Sequence, residues 1–370
     1  MGVPSREKTR IFLSPPRLAG NEQRYVREAI ESNWIAPLGP FVERFEAELG
    51  RVAGAKHCVA LASGTSAIHL GLLAAGVRPG DLVAVSDLTF VASVNAVSYC
   101  GAKPVLVDSD PETGTMSPER LAEALERHGN KIKAVVPVHL YGMPCDMEAI
   151  SALAAGAGIP VVEDAAESLG SSWNGRACGT WGASGALSFN GNKIVTTSGG
   201  GALLTDDEAT EARVRHLSTV ARVQAPWFEH DEVGYNYRLS NLLAAVGCAQ
   251  LEDLAPRVAR RRALFDAYAE EMARLDAVGQ KEPEGAFSNR WLPAFFLPEK
   301  RLRDRLCEAL AAENVESRWC WKPMSLQKPY ADGTASPVAN DLFDRGICLP
   351  GGIEVGSEEW ERVRAVLRSV

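Results

Sequence analysis

Short, almost continuously apolar runs alternate with helical patterns between about residue 55 and residue 205. Such runs predict strands buried on both faces, as in a mostly parallel sheet covered by helices. The seven runs are CVALA at 58, LVAVSD at 82, PVLVD at 104, AVVPVH at 134, IPVVED at 159, ALSFN at 186 and ALLTD at 202. The last two are separated only by residues 191–201, which leaves little room for a crossover helix. One antiparallel strand is therefore expected near the end of the sheet.

The pattern changes after Thr205. Residues 206–222 and 239–276 are helical in pattern. Within the second stretch, EDLAPRVARRRALFDAYAEEMARL (residues 252–275) is typical of a long surface helix that bridges to another unit. Beyond it, two expected strands (NRWLPAFFL and GICLP) mix with helices at 299–313 and 357–368, as in a smaller α+β domain. We predict an N-terminal arm (1–20), a large domain (21–240) and a small C-terminal domain (241–370) that includes the bridging helix.

Charge and length narrow the class of protein. The chain has 370 residues and a net charge of −8, which argues against a dominant electrostatic grip on nucleic acid or on an anionic membrane. No stretch approaches the roughly 20 continuous apolar residues of a membrane helix, and the start lacks the apolar core of a signal peptide. We expect a cytoplasmic protein with neither a membrane nor a nucleic acid as partner.

The eight cysteines are scattered along the chain, and none forms a C-x-x-C pair. In a chain of this size they are best interpreted as reduced, buried residues rather than as a disulfide framework or a zinc site.

The first chemical feature is the segment VALASGTSAIHLGL, a strand followed by Ser63-Gly64-Thr65-Ser66 and then a helix. Gly64 permits a tight turn, and the amides of Thr65 and Ser66 at the helix start favour an anion such as phosphate. The simpler interpretation is that these hydroxyls only cap the helix. The chain has no P-loop and no G-x-G-x-x-G after a strand, which counts against triphosphates and dinucleotides.

Two further features follow strands. Phe90 lies in a polar turn, where its ring could stack on a planar ligand, although a single Phe is more often packed in a core. Glu163, Asp164 and Glu167 come directly off an apolar strand, where carboxylates are costly unless paired. They could simply favour a helix start, or one of them could hold a protonated ligand nitrogen. No histidine lies near them in sequence, so we predict no metal site.

The fourth feature is Lys193 in the segment GALSFNGNKIVTTSGGG, close to Ser188. Most lysines are solvated surface charges, but here strands flank the residue and the Gly199–201 run permits close backbone approach. A partly desolvated lysine gives up its proton more readily and becomes an amine nucleophile toward carbonyls. A phosphate cradle, a stacking aromatic ring, an acid and this lysine are together the parts that pyridoxal phosphate requires.

These segments resemble the sugar aminotransferases of the DegT/DnrJ/EryC1/StrS family, which have the aspartate aminotransferase fold, fold type I. The resemblance spans nearly the whole chain and includes NWIAPLGPFVERFEAEL, DLTFVASVNAV, VPVHLYGMPCDM, VVEDAAESLGS, EVGYNYRLSNLLAA and WKPMSLQ. It implies an α/β fold whose large, pyridoxal phosphate-binding domain has a mostly parallel seven-stranded sheet. SFNGNK and EDAAESLG look most like the branch that aminates UDP-linked 4-keto-6-deoxy-N-acetylhexosamines.

The resemblance also implies roles for individual residues. Lys193 would carry the cofactor as an imine and shuttle protons, Asp164 would keep the pyridine nitrogen protonated, and Phe90 would stack on the ring. The expected cofactor contacts are completed by Gly64, Thr65, Ser66 and Ser188 for the phosphate, Asn236 from a neighbouring subunit, and Glu167 where many relatives have Gln. Arg238, Trp34 and Ser325 are expected on the substrate side.

The implied reaction moves one amino group from L-glutamate to a nucleotide-linked keto-deoxysugar in a homodimer with shared sites. Two departures bear on the sugar: Ser325 replaces a histidine of related MHLQ segments, and Val220 stands where this branch tends to have Gln. Three alternatives remain open: a dTDP-linked 3- or 4-ketosugar as acceptor, a sugar dehydratase, and a catalytically silent sensor. Lys193 argues against the last two, because such proteins tolerate its loss.

Overall fold

The computed structural model describes residues 9–331, 333–352 and 355–370. Residues 1–8 of the predicted N-terminal arm lie outside the described residues. The helices are α1 (Glu22–Glu31), α2 (Pro40–Ala53), α3 (Gly64–Ala74), α4 (Val91–Tyr99), α5 (Pro118–His128), α6 (Met147–Gly156), α7 (Glu208–Ser218), α8 (Asn241–Leu251), α9 (Leu254–Met272), α10 (Lys300–Ala312), α11 (Pro337–Arg345) and α12 (Ser357–Ser369). The strands are β1 (His57–Leu61), β2 (Leu82–Ser86), β3 (Lys103–Val107), β4 (Ile132–Val136), β5 (Val162–Asp164), β6 (Ser172–Trp173), β7 (Arg176–Ala177), β8 (Ser184–Ser188), β9 (Gly201–Thr205), β10 (Arg222–Val223), β11 (Glu229–His230), β12 (Val278–Gly279), β13 (Ala286–Phe287), β14 (Ala294–Phe296), β15 (Arg318–Trp319) and β16 (Gly346–Cys348).

The central sheet contains the seven predicted strands. The ladders β3-β2-β4 and β5-β8-β9-β1 are joined by parallel bridges from Val135 to Val161 and from Val138 to Asp164. The resulting order is β3-β2-β4-β5-β8-β9-β1. β9 runs antiparallel to both neighbours, whereas the other ladders are parallel. The prediction of a mostly parallel sheet with one antiparallel strand near its end is confirmed.

Both faces of this sheet are buried, as the continuous apolar runs require. Consecutive residues of β8 show the two faces: Leu187 packs in a cluster with Phe45 of α2, and Ala186 packs in a different cluster with Ile68 of α3. Because side chains alternate along a strand, each apolar run contributes to two cores. The strands are thereby fixed relative to α3, whose first turn lies at the carboxyl end of β1.

The C-terminal residues form a second, antiparallel sheet with the order β12-β14-β16-β15. Its core joins Phe295 and Ile347 of the sheet to Leu306 of α10 and Val363 of α12. The two predicted strands are present but short, since NRWLPAFFL is extended only at Ala294–Phe296. The division of the chain at residues 20 and 240 stays a prediction.

The helical pattern predicted over residues 239–276 is confirmed, and the predicted long bridging helix (residues 252–275) corresponds to α9, but the stretch is divided. The structure has two helices there, α8 and α9, separated by residues 252–253. Pro256 lies in the first turn of α9, where its ring would clash with the carbonyl group four residues earlier in a continuous helix and where it has no N–H to donate. Proline is tolerated in the first turn of a helix but not in its interior, which agrees with the start of α9 at Leu254, two residues before Pro256.

Within the described part of the chain, no helix combines the length and the apolar character needed to cross a bilayer.

Candidate active site

A cavity of about 370 Å³ lies at the carboxyl ends of the central strands. All four features singled out in the sequence contribute to its wall: the turn after β1, the turn after β2, the end of β5 and the loop after β8. A larger groove of about 820 Å³ runs along the edge strand β3 and contains none of the predicted site residues. The smaller cavity is therefore the candidate site, as expected for ligands of α/β sheets.

The start of α3 forms one end of the cavity. Ser63 caps the helix, and its Oγ accepts a hydrogen bond from the Ser66 amide at 3.0 Å. The amide of Ser66 is therefore already bonded within the helix cap. Thr65, Gly64 and Ser188 line the cavity. A Cβ added at Gly64 would stand 2.8 Å from the Ser188 Cβ, so only glycine lets β8 approach the helix start this closely.

Asp164, at the end of β5, is held by two hydrogen bonds. The Ser93 hydroxyl donates to its Oδ2 at 2.6 Å, and the Ala166 amide donates to its Oδ1 at 3.1 Å. Ser93 is in turn 2.7 Å from the Thr89 hydroxyl. The Asp164 side chain is fixed at the cavity wall, and its carboxylate can accept a hydrogen bond from a protonated atom of a ligand.

Lys193 lines the same cavity from the loop between β8 and β9, and only 13% of its side chain is exposed. Its Nζ is 3.3 Å from Glu167 Oε1, and the Tyr141 amide donates to the other carboxylate oxygen at 2.7 Å. Burial raises the pKa of the Glu167 carboxyl, and the Lys193 ammonium opposes that shift. Tyr141 adopts a left-handed backbone conformation (φ 56°), a strained geometry that is common at functional sites.

Phe90 stands at the mouth of the cavity as the N-cap residue of α4, with half of its surface exposed. Its ring centroid is 5.6 Å from that of Trp321, which also contacts Tyr141. The aromatic side chains from two distant parts of the chain form one wall that is able to cover a planar ligand.

Asn236 and Arg238 do not line this cavity. They line a separate groove of about 570 Å³, together with Val220 and Leu38. Arg238 is committed to other partners, because its guanidinium donates to Glu46 Oε1 at 2.8 Å and to the Ala60 carbonyl at 2.9 Å. Their predicted roles in cofactor and substrate binding stay predictions.

The other two residues expected on the substrate side also lie outside the cavity lining. Trp34 is partly exposed, and its carbonyl accepts a hydrogen bond from Asn241. Ser325 is buried, and its hydroxyl donates to Asp87 Oδ2 at 2.6 Å while its amide donates to Oδ1 at 2.7 Å. In place of the histidine of related segments, Ser325 thus anchors its loop to the carboxyl end of β2.

Sequence reasoning missed several residues of the site. Trp291 and Trp321 come from the C-terminal third of the chain, and Thr89, Asn190 and Asn192 come from the turns that carry Phe90 and Lys193. The asparagines stood inside a segment already marked as chemical and could have been included. No local pattern marks the two tryptophans, because their place depends on contacts with residues far away in sequence.

The residues around the cavity fit pyridoxal phosphate. A helix start provides amides for a phosphate, and a buried carboxylate, a lysine and an aromatic ring line the same cavity. A Cβ added at Gly201 would stand 2.3 Å from the Ser63 carbonyl carbon, so the glycine run brings the loop and helix start into direct contact. The volume lies within the usual range for small-ligand sites.

Comparisons with known proteins agree with this chemistry. The model of the DegT/DnrJ/EryC1/StrS aminotransferase family matches residues 16–368. EpsN of Bacillus subtilis (strain 168), named as a candidate pyridoxal phosphate-dependent aminotransferase, is 46% identical over 368 residues, which cover 97% of this chain and 95% of EpsN. A GDP-perosamine synthase of Caulobacter vibrioides is 38% identical over 98% of each chain. The crystal structure of the aminotransferase TlmJ from Streptoalloteichus hindustanus superposes with a TM-score of 0.91 at 30% identity, over 96% of this chain and 97% of TlmJ.

Proposed function

This chain belongs to the DegT/DnrJ/EryC1/StrS aminotransferase family, and we propose that it transfers the amino group of L-glutamate to a nucleotide-linked keto-deoxysugar. As a member of that family it is a pyridoxal phosphate-dependent transaminase with the type I fold. The observation that carries the proposal is the placement of Lys193, Asp164 and the start of α3 around one cavity.

We assign the cofactor contacts from this placement. When bound, pyridoxal phosphate supplies a carbonyl group for the amino exchange and a ring that withdraws electrons. Thr65 and Ser188 would hold its phosphate, Asp164 would hold a proton at its ring nitrogen, and Phe90 would cover one face of the ring. The amine of Lys193 would bind the cofactor at its carbonyl carbon.

Lys193 also handles the protons of the reaction. Its Nζ removes the proton from the α-carbon of glutamate in the first half-reaction and delivers one to the sugar carbon in the second. Glu167, with a raised pKa and 3.3 Å from Nζ, orients the lysine between these steps. The paired rings of Phe90 and Trp321 would cover one side of the bound cofactor and so limit the access of water.

The acceptor that we favour is a UDP-linked 4-keto-6-deoxy-N-acetylhexosamine, because of the segments SFNGNK and EDAAESLG. A GDP-linked sugar is the second candidate, since a relative that matches nearly the whole chain is named GDP-perosamine synthase. A dTDP-linked ketosugar is a further possibility within the same chemistry.

We further propose a homodimer with shared sites. Asn236 is exposed and lies outside the cavity of its own chain. Around it the surface carries large exposed apolar side chains, among them Trp227, Phe228 and Val233. Exposed apolar groups of this size are typical of a protein interface, and a second copy would cover them while bringing Asn236 to the neighbouring cavity.

The test is an assay of the cofactor-loaded protein with ¹⁵N-glutamate and a panel of UDP-, GDP- and dTDP-linked ketosugars, followed by mass spectrometry of the sugars. We expect ¹⁵N in the product of the UDP-linked 4-keto-6-deoxy-N-acetylhexosamine, with the highest kcat/KM of the panel. A higher kcat/KM for a GDP-linked sugar would favour the second candidate. A protein whose cofactor does not respond to any amino donor would overturn the proposal.

A further inference from the structure

Trp291 lies directly against the amine of Lys193. The Nζ atom is 3.9 Å from the centroid of the indole ring, and Trp291 is only 1% exposed. The indole Nε1 donates a hydrogen bond of 2.8 Å to the carbonyl of Asn192, the residue immediately before the lysine. Trp291 therefore contacts the ammonium of Lys193 through its ring and the backbone of the preceding residue through its N–H.

The backbone of Trp291 is itself fixed on both sides. Its amide donates to Asn289 Oδ1 at 2.8 Å, and its carbonyl accepts a hydrogen bond from Arg261. Arg290, between Asn289 and Trp291, has a φ of 52°. A non-glycine residue in this region costs on the order of 1 kcal/mol and persists only where the surroundings hold it. Contacts on both sides of the residue therefore fix the position of the indole ring.

Asn289 connects the segment around Trp291 to Glu167, the second residue that contacts the Lys193 ammonium. Its Nδ2 donates to the carbonyls of Glu167 and Leu169, each at 2.9 Å, and the residue is fully buried. The same asparagine therefore places both groups that contact the Lys193 ammonium, the carboxylate of Glu167 and the ring of Trp291.

We propose that Trp291 is a positioning residue for Lys193, which holds the free ammonium beside Glu167 whenever the lysine is not bonded to the cofactor. The attraction between a cation and the negative face of an indole ring supplies the force. This inference rests on the role proposed for Lys193. Without the ring, the side chain of Lys193 is less restrained, so proton transfer slows while the binding of substrate is unchanged.

The test measures how fast acetic anhydride acylates Lys193 at pH 8 in cofactor-free protein, by peptide mass spectrometry, with Lys281 as the internal reference. For Trp291→Leu we expect acylation about tenfold faster than in the wild type, because the ring that holds and covers the Lys193 amine is lost. Trp291→Phe keeps a ring and should stay within about threefold of the wild type. The matched control is Trp319→Leu, since Trp319 makes the same kind of contact with Arg303 at 3.6 Å, and it should leave Lys193 unaffected.

A second measurement avoids any loss of folding. Replacing the eight tryptophans with 5-fluorotryptophan weakens the negative face of the ring and keeps its shape and N–H. We expect the acylation of Lys193, and not that of Lys281, to become faster. Unchanged acylation of Lys193 in the fluorinated protein and in folded Trp291→Leu would overturn the inference.

In loaded protein, Trp291→Leu should lower kcat about tenfold at an unchanged KM for glutamate, and Trp291→Phe should restore most of it. A Trp291→Leu variant with the wild-type kcat would also overturn the inference. The acylation assay needs neither cofactor nor substrate. A protein that fails to transaminate would therefore refute the proposed function without deciding the position of Trp291.

Discussion

The cavity of about 370 Å³ and the groove of about 570 Å³ both contain residues that the sequence singled out, but they are built differently. In the cavity, the two predicted charged side chains have hydrogen-bond partners within the same chain. Asp164 accepts a hydrogen bond from Ser93, and Lys193 donates one to Glu167. In the groove, Asn236 is exposed and Arg238 is engaged by Glu46. The side chains of the cavity are thus fixed within one chain, whereas we interpret the groove as a surface whose Asn236 serves the cavity of a second copy.

Within the cavity, a large effect is expected from a substitution of its acid, Asp164. Asp164→Asn keeps the size of the side chain but loses the charge that would hold a proton at the ring nitrogen, so kcat should fall about a hundredfold or more. Steady-state turnover with glutamate measures it. Asp207→Asn is the control, because Asp207 caps α7 on the surface and asparagine caps equally well. Wild-type turnover in Asp164→Asn would remove this acid from the mechanism.

Mixing two inactive variants tests whether the groove belongs to a neighbouring cavity. Lys193→Ala and Asn236→Ala should each be inactive alone. A heterodimer of the two would contain one intact site, so random mixing should restore about a quarter of the wild-type activity. Activity is measured after verified subunit exchange. A verified heterodimer without activity would show that Asn236 serves its own chain.

A smaller effect is expected on the stability of the fold beside the groove, where His69 is buried. The ring of His69 packs against Tyr235 and Tyr237, on either side of Asn236, and within the described residues neither ring nitrogen has a hydrogen-bond partner. Burial lowers the pKa of His69 from 6.5 to about 4. The unfolded chain therefore takes up a proton first as the pH falls, and the folded state loses stability between about pH 6.5 and pH 4.

Urea titrations at pH 7 and pH 5 measure this effect. His69 should account for a loss of about 2 kcal/mol in the free energy of unfolding between these pH values. His69→Phe keeps an aromatic ring but has no proton to gain, so this part of the pH dependence should vanish. An identical pH dependence in wild type and variant would show that His69 does not titrate in this range.

The sequence predicted the part of the fold and site that depends on local patterns. Seven apolar runs identified the central strands, and residues at strand ends such as Asp164 and Lys193 were expected at one edge because parallel strands end together. The break between α8 and α9 could also have been predicted, because Pro256 is a signal for a helix start. The helical periodicity on both sides of the break masked this signal.

The remaining features depend on contacts that no local pattern records. Trp291 reaches Lys193 only because the segment around it is clamped by Asn289 and Arg261, and Arg238 meets Glu46 across 192 positions of sequence. Ser325 was expected near the substrate by analogy, whereas its hydroxyl is bound to Asp87. Tertiary packing decides such pairs, and periodicity and composition carry no information about them.

The most direct test of the account is the visible spectrum of cofactor-loaded protein before and after L-glutamate, in the wild type and in Lys193→Ala. The account predicts a yellow wild type that glutamate bleaches. It also predicts a Lys193→Ala variant, shown to be folded by circular dichroism, that bleaches about a thousandfold more slowly or not at all. Bleaching of the variant at the wild-type rate would contradict the central claim that Lys193 carries the proton transfer.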